Sequence, residues 1–186
     1  MEIEIMIFGD PYRFAILVEY IPYWSDSSFK NGLFHFYING KMFPDELTTA
    51  TLNVDIFSLD DKNALVSFPE NKELFDKEIK EAFNTMLGMI SPNLVDSNLD
   101  VPEDFESSYI YKASTENIDD FGSSVFAVSY DDIVRIIGAK RRILRYDNNG
   151  CGYWEDIPKP DFYETKIYKD EVKEIIANIK KYYISL

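Results

Sequence analysis

The sequence predicts an α+β fold, with a mostly antiparallel sheet and at least two helices packed on it. Three observations lead there. The first forty residues hold three apolar, β-branched and aromatic runs bounded by turn residues. Residues 71–90 switch to apolar side chains at three- and four-residue intervals. Residues 169–183 return to that helical interval near the C-terminus. Strands, helix, strands, helix in that order define the class. No linker is long enough to divide the chain, so residues 1–186 are expected to form one domain.

The first run spans 3–8 and turns at Gly9-Asp10-Pro11. In the second, 14–18, Phe14, Ile16, Val18 and Tyr20 share one face and Arg13 and Glu19 the other, because alternate strand side chains point to opposite faces. In the third, 33–38, Phe34, Phe36 and Ile38 oppose Leu33, His35 and Tyr37. Asn39-Gly40 closes a hairpin, since both residues tolerate positive φ. Residues 49–58 alternate cleanly and predict a strand with Ala50, Leu52, Val54 and Ile56 inward and Asp55 toward water. Asp60-Asp61-Lys62-Asn63 is a turn, and 64–68 one more short strand before Pro69.

Leu74, Phe75, Ile79, Ala82, Phe83, Met86, Leu87 and Ile90 form one stripe of a helix over 71–90, stopped by Pro92. Residues 91–106 read as a polar surface loop. Residues 109–111 form a weak strand and 124–130 a strong one. Asp131-Asp132 turns into a long strand over 133–146 with a bulge at Gly138. Residues 147–152 are a loop, Pro158-Lys159-Pro160 is rigid, and 162–168 is the last strand. The helix over 169–183 carries Val172, Ile175, Ile176, Ile179, Tyr182 and Tyr183 on one stripe. Acidic residues sit in its early turns and Lys180-Lys181 in its last, as the helix dipole prefers.

Composition narrows the functional classes. An apolar fraction of 46%, with 16% aromatic residues, is enough to bury a core and excludes disorder. No apolar run reaches the roughly 20 residues that span a bilayer. Glu2 and Glu4 stand where a secretory signal would be basic. A lone cysteine, Cys151, allows no internal disulfide and fits a reducing cytoplasm. Net charge is −14, and residues 60–131 hold 16 acidic against 5 basic side chains. Such a field repels nucleic acid and anionic membranes and attracts basic proteins or cations.

Few residues carry chemistry. His35 is mid-strand among bulky aromatics, and no Gly-x-Ser-x-Gly elbow accompanies it, so a strand-face histidine bonded to a neighbour is the simpler reading. Cys151 lies near Glu155 and Asp156, the wrong charge to activate a thiol. Asp147-Asn148-Asn149-Gly150 has a calcium-loop composition, but its glycine falls at the fourth position rather than the sixth, so a turn is expected. The pairs Asp60-Asp61, Glu103-Asp104, Asp119-Asp120 and Asp131-Asp132 would hold a divalent metal only if they converged; none is assigned, and no cofactor is expected. Lys140-Arg141-Arg142 with Arg145 is the one basic cluster, and ion pairs with the acidic middle segment are its expected use. Glycine-rich phosphate loops are absent.

The block Met6-Ile7-Phe8-Gly9-Asp10-Pro11, with Phe14-Ala15-Ile16 and Leu33-Phe34-His35-Phe36-Tyr37-Ile38-Asn39-Gly40, resembles the immunity 42 family of bacterial polymorphic-toxin systems. Gly152-Tyr153-Trp154-Glu155-Asp156-Ile157 running into the final helix is also similar. The resemblance implies a small cytoplasmic, non-enzymatic protein that binds and blocks a cognate toxin domain. It names no contact residues. Acidic and aromatic side chains outside the expected core are the candidates for partner binding: Glu103, Asp104, Asp119, Asp120, Trp154, Glu155 and Asp156. Two alternatives stand beside this reading: an acidic nucleic-acid mimic that occupies a DNA-binding protein, and a hydrolase using converging carboxylates and a metal.

Overall fold

The computed structural model describes residues 6–186. The predicted first strand therefore enters description only at Met6; Ile3, Glu4 and Ile5 lie outside the described residues. Strands β1 (Met6–Asp10), β2 (Phe14–Tyr20), β3 (Asn31–Ile38) and β4 (Lys41–Phe43) form an antiparallel sheet in that order, and the short β5 (Ala50–Thr51) pairs with β3. Asn39 and Gly40 both take positive φ in the β3–β4 turn.

Residues 52–57 are helical, not extended: α1 covers Leu52–Phe57. Leu52, Ile56 and Leu59 also recur at helical intervals, and these three are buried while Val54 is exposed. The alternation that suggested a strand was compatible with both periods. Residues 64–67 likewise form one helical turn, α2 (Ala64–Ser67), because the Asn63 side chain accepts the Leu65 N–H at 2.9 Å and caps it.

The predicted helix over 71–90 is two helices, α3 (Lys72–Asp76) and α4 (Ile79–Ile90). Neither proline nor glycine separates them. A buried arginine from a distant strand does: Arg135 Nη1 donates to the carbonyls of Leu74, Phe75 and Lys77 at 3.2, 3.1 and 2.6 Å, ending α3, and its Nε meets Glu164 at 2.5 Å. The Glu78 side chain then caps α4 through the N–H groups of Lys80 and Glu81.

A second antiparallel sheet runs β10–β7–β6, from β10 (Phe162–Tyr168), β7 (Ile133–Lys140) and β6 (Ser123–Tyr130). Residues 109–111 are not a strand; the chain meets β6 just after them, at the bridge of Lys112 to Phe126, with the Tyr111 carbonyl accepting the Ala127 N–H. The helix α5 (Glu116–Asp120) enters β6 and has no counterpart in the expectations. The long strand over 133–146 breaks at Arg141 and continues as β8 (Arg142–Tyr146), which pairs with β9 (Gly152–Asp156) as a separate two-stranded ribbon.

The second sheet is buried on both faces. Val125, Ala127, Val134 and Ile136 join Phe14, Ile16, Phe34, Phe36 and Ile38 in one core, closed by Val172, Ile175, Ile176 and Ile179 of α6 (Lys169–Ser185). Phe126, Val128, Ile137 and Ala139 face α3 and α4 in another, where Phe83 meets Phe126 and Phe162 edge-on at 5.0 and 5.1 Å. Gly138 makes no bulge; it pairs in register with Val125 and Tyr163. Its missing side chain serves sheet-to-sheet contact, since a Cβ there would lie 2.8 Å from Ile38 Cδ1 and 3.0 Å from Phe43 Cε2.

Two stability predictions follow from this packing. Gly138→Val should lower unfolding free energy by about 1–3 kcal/mol through overpacking. Arg135→Met should lower it by about 2–4 kcal/mol by orphaning the α3 carbonyls and Glu164. Urea titrations read both as lower midpoints.

Candidate functional site

The β8–β9 ribbon projects from the second sheet where three main-chain groups meet. The carbonyl of Gly122 accepts the N–H of Arg141 at 2.8 Å and of Arg142 at 3.1 Å. Gly122 has φ +75°, and a side chain there would strike the Arg142 carbonyl and the Trp154 ring. The chain therefore leaves β7 at a corner only glycine can occupy. At the far end Asp147 Oδ1 accepts the N–H groups of Asn149 and Cys151, both at 2.8 Å, which closes the turn. This is the turn the sequence predicts.

Every residue of β9 is exposed. Register pairs Leu144 with Trp154 and Tyr146 with Gly152 on one face, and Arg145 with Tyr153 on the other. The Arg142 guanidinium lies 5.5 Å from the Trp154 ring centroid, and Arg145 Nε bonds Glu155 at 2.9 Å. Hydrogen bonds Ile157 N to Arg141 O and Asp147 N to Cys151 O fix the alternation of the ladder. The backbone groups of Gly152, Trp154 and Asp156 consequently point away from β8. No strand covers that edge among the described residues. An open edge is a template for another chain.

Asp119 and Asp120 end α5, just before the Gly122 corner that supports Trp154. Asp119 pairs with Lys112 at 2.6 Å; Asp120 is exposed and lines a small cleft with Asp55 and Glu116. Asp55, expected to face water, is instead buried and accepts the N–H of Asn117 at 3.0 Å, capping α5 from α1. Asn117 continues the network to Thr48 Oγ1 and the Phe34 carbonyl. Burial pushes the Asp55 carboxyl up to about 6, against the opposing hydrogen bonds.

The structure thus brings together five of the seven sequence candidates: Asp119 and Asp120 at the corner, Trp154, Glu155 and Asp156 on the ribbon above it. Glu103 and Asp104 sit apart, exposed in the turn that Phe105 N closes onto Pro102 O. Leu144, Tyr146 and Arg141 were missed. Residues 142–146 fall within the strand expected over 133–146, and nothing in the sequence marks where that strand leaves the sheet. The acidic pairs are dispersed: Asp119-Asp120 and Asp131-Asp132 flank opposite ends of β6. Among the described residues no three acidic, histidine or cysteine side chains gather as metal ligands. His35 is buried, its Nδ1 3.1 Å from the Pro44 carbonyl, and burial lowers its pKa. Among the described residues the basic cluster forms no ion pair with the acidic middle segment, although Asp119 acts on Arg141 through space. Lys140 meets Asp45 and Glu46, and Arg145 meets Glu155.

The sequence profile of the family described as Immunity protein 42 matches residues 6–182. No curated protein matches the chain. Among solved structures, CdiI from Burkholderia dolosa AUO158 is 21% identical, with a TM-score of 0.63 over 93% of this chain and 99% of that one. At that identity the likeness is one of fold. No helix among the described residues is long and apolar enough to cross a membrane.

Asp55 yields a pH prediction. Its folded-state pKa of about 6 exceeds its ordinary 3.8, so the folded protein binds this proton more tightly than the unfolded chain. The penalty for ionising it is complete above about pH 6 and fades as pH falls toward the unfolded value. Asp55→Asn keeps the acceptor for Asn117 and should stabilise the protein by up to about 3 kcal/mol at pH 7.5. That advantage should shrink toward zero near pH 4, measured by urea titration of both proteins across the range.

Proposed function

The chain belongs to the immunity protein 42 family, and from that membership we propose how it blocks its cognate toxin: a stoichiometric, non-catalytic complex held by the β8–β9 ribbon and the corner beneath it. The single observation that carries this surface is the ribbon itself. Tyr146, Tyr153 and Trp154 are 67%, 51% and 39% exposed on a strand pair with an open edge. Aromatic side chains of this kind dominate interface energetics, and an open edge supplies main-chain hydrogen bonds. The Gly122 corner and the Asp147 turn hold the ribbon in place, so little conformational entropy is lost on binding.

Charge has a separate role. The net charge of −14 speeds encounter with a basic toxin domain. Asp119, Asp120, Glu155 and Asp156 lie close enough to the ribbon to act in the complex, whereas Glu103 and Asp104 act from the rim. Binding takes place in the cytoplasm of the producing cell.

The test is co-expression with the toxin domain encoded beside the gene, followed by affinity measurement. Wild type should rescue growth and form a complex. Trp154→Ala should weaken binding by about 30-fold or more, the effect of losing an aromatic anchor. Glu103→Gln with Asp104→Asn should slow association and leave dissociation unchanged. Absence of both complex and rescue sinks the function; an unchanged Trp154→Ala complex sinks the surface.

A further inference from the structure

The arginines fall into two groups. Arg13, Arg135 and Arg145 each meet a carboxylate: Glu171 at 2.7 Å, Glu164 at 2.5 Å and Glu155 at 2.9 Å. Arg141 and Arg142, adjacent at the root of the ribbon, form no ion pair among the described residues, in a chain with 33 acidic side chains. Arg141 is half-buried and bonds only Ser124 Oγ, at 3.0 Å through Nε. Arg142 lies over Trp154, and its Nε is buried without a partner. Burial lowers the Arg141 pKa and the Arg142 cation adds to that, while the carboxylates of Asp119 and Asp156 oppose it through space without bonding it. A half-buried guanidinium with no carboxylate hydrogen-bonded to it is only partly compensated for its desolvation.

Arg141 forms part of the wall of a groove of about 410 Å³ between α4, residues 93–97 and the Pro158–Pro160 strap. Phe83, Leu87 and Phe162 supply apolar surface. Asp156 and Ile157 line it too, so the groove meets β9 at its last residue. Lys80 and Asp96 stand at its rim, and neither Asp96 nor Asp156 forms an ion pair with Arg141.

We propose that this groove seats an acidic side chain of the toxin, carried on an extended segment that lies along β9, with its carboxylate on the free guanidinium nitrogens of Arg141. The inference rests on the immunity reading above. The chemistry is specific. A guanidinium offers a planar fork that a carboxylate meets with two parallel hydrogen bonds, and the apolar walls take the methylenes that carry it. The contact also inverts the general charge pattern: an acidic protein steers a basic toxin from a distance and selects it by one acidic residue at close range.

Calorimetry with the adjacent toxin domain tests this. Arg141→Gln should weaken binding by about 30-fold or more, through faster dissociation. Arg141→Glu should weaken it further, and replacing the matching toxin carboxylate by lysine should restore it. Circular dichroism checks that each variant folds. If Arg141→Gln fails to fold, Asn84→Trp decides the matter, because it fills the groove from α4 with Arg141 intact and should also weaken binding. Unchanged affinity in the folded variants overturns the inference while leaving the immunity function standing. No binding by wild type overturns the function itself. Self-association of the toxin-free protein that Arg141→Gln abolishes would assign the groove to a second copy and overturn the inference as well.

Discussion

One carbonyl oxygen, that of Gly122, determines where the β8–β9 ribbon stands. By taking the N–H groups of Arg141 and Arg142 together, it ends β7 as a sheet strand and sends the chain outward as the ribbon. The same glycine leaves room for the Trp154 ring against the corner. A side chain at that position would separate the ribbon from α5 and move the acidic pair Asp119-Asp120 away from the aromatic face. Shape, charge and aromatic exposure at this end of the molecule all depend on a backbone conformation open to glycine and few other residues.

Much of the fold was legible because its signals were local. The β2 and β3 alternation, the Asn39-Gly40 turn, the β10 strand and the stripe of α6 are each specified within a few residues. The failures were tertiary. Residues 49–58 satisfied both strand and helix periods, and a buried Asp55 that caps a helix sixty residues away decided between them. The break between α3 and α4 is written in β7, at Arg135, and no window around residue 77 contains it. Gly138 looked like a bulge and is a point of contact between sheets.

The site followed the same division. Trp154, Glu155 and Asp156 could be picked as polar and aromatic residues outside a core stripe, and Asp119-Asp120 as a charged pair. That the two groups adjoin depends on the Gly122 corner, which has no sequence signature beyond one glycine. Arg141 was legible as a basic residue but not as one without an ion pair. Pairing is a property of space, and the acidic middle segment expected to supply a partner places none within bonding distance of it.

Neither cluster of buried residues takes a side chain from β8 or β9. The ribbon therefore draws its position from the cores without contributing to them. Under the proposed function, substitutions along it change what the surface matches while leaving the folding free energy nearly untouched. An inhibitor that must track a changing target gains from that arrangement: its specificity can drift through successive forms, each of them folded, without crossing a valley of unstable intermediates.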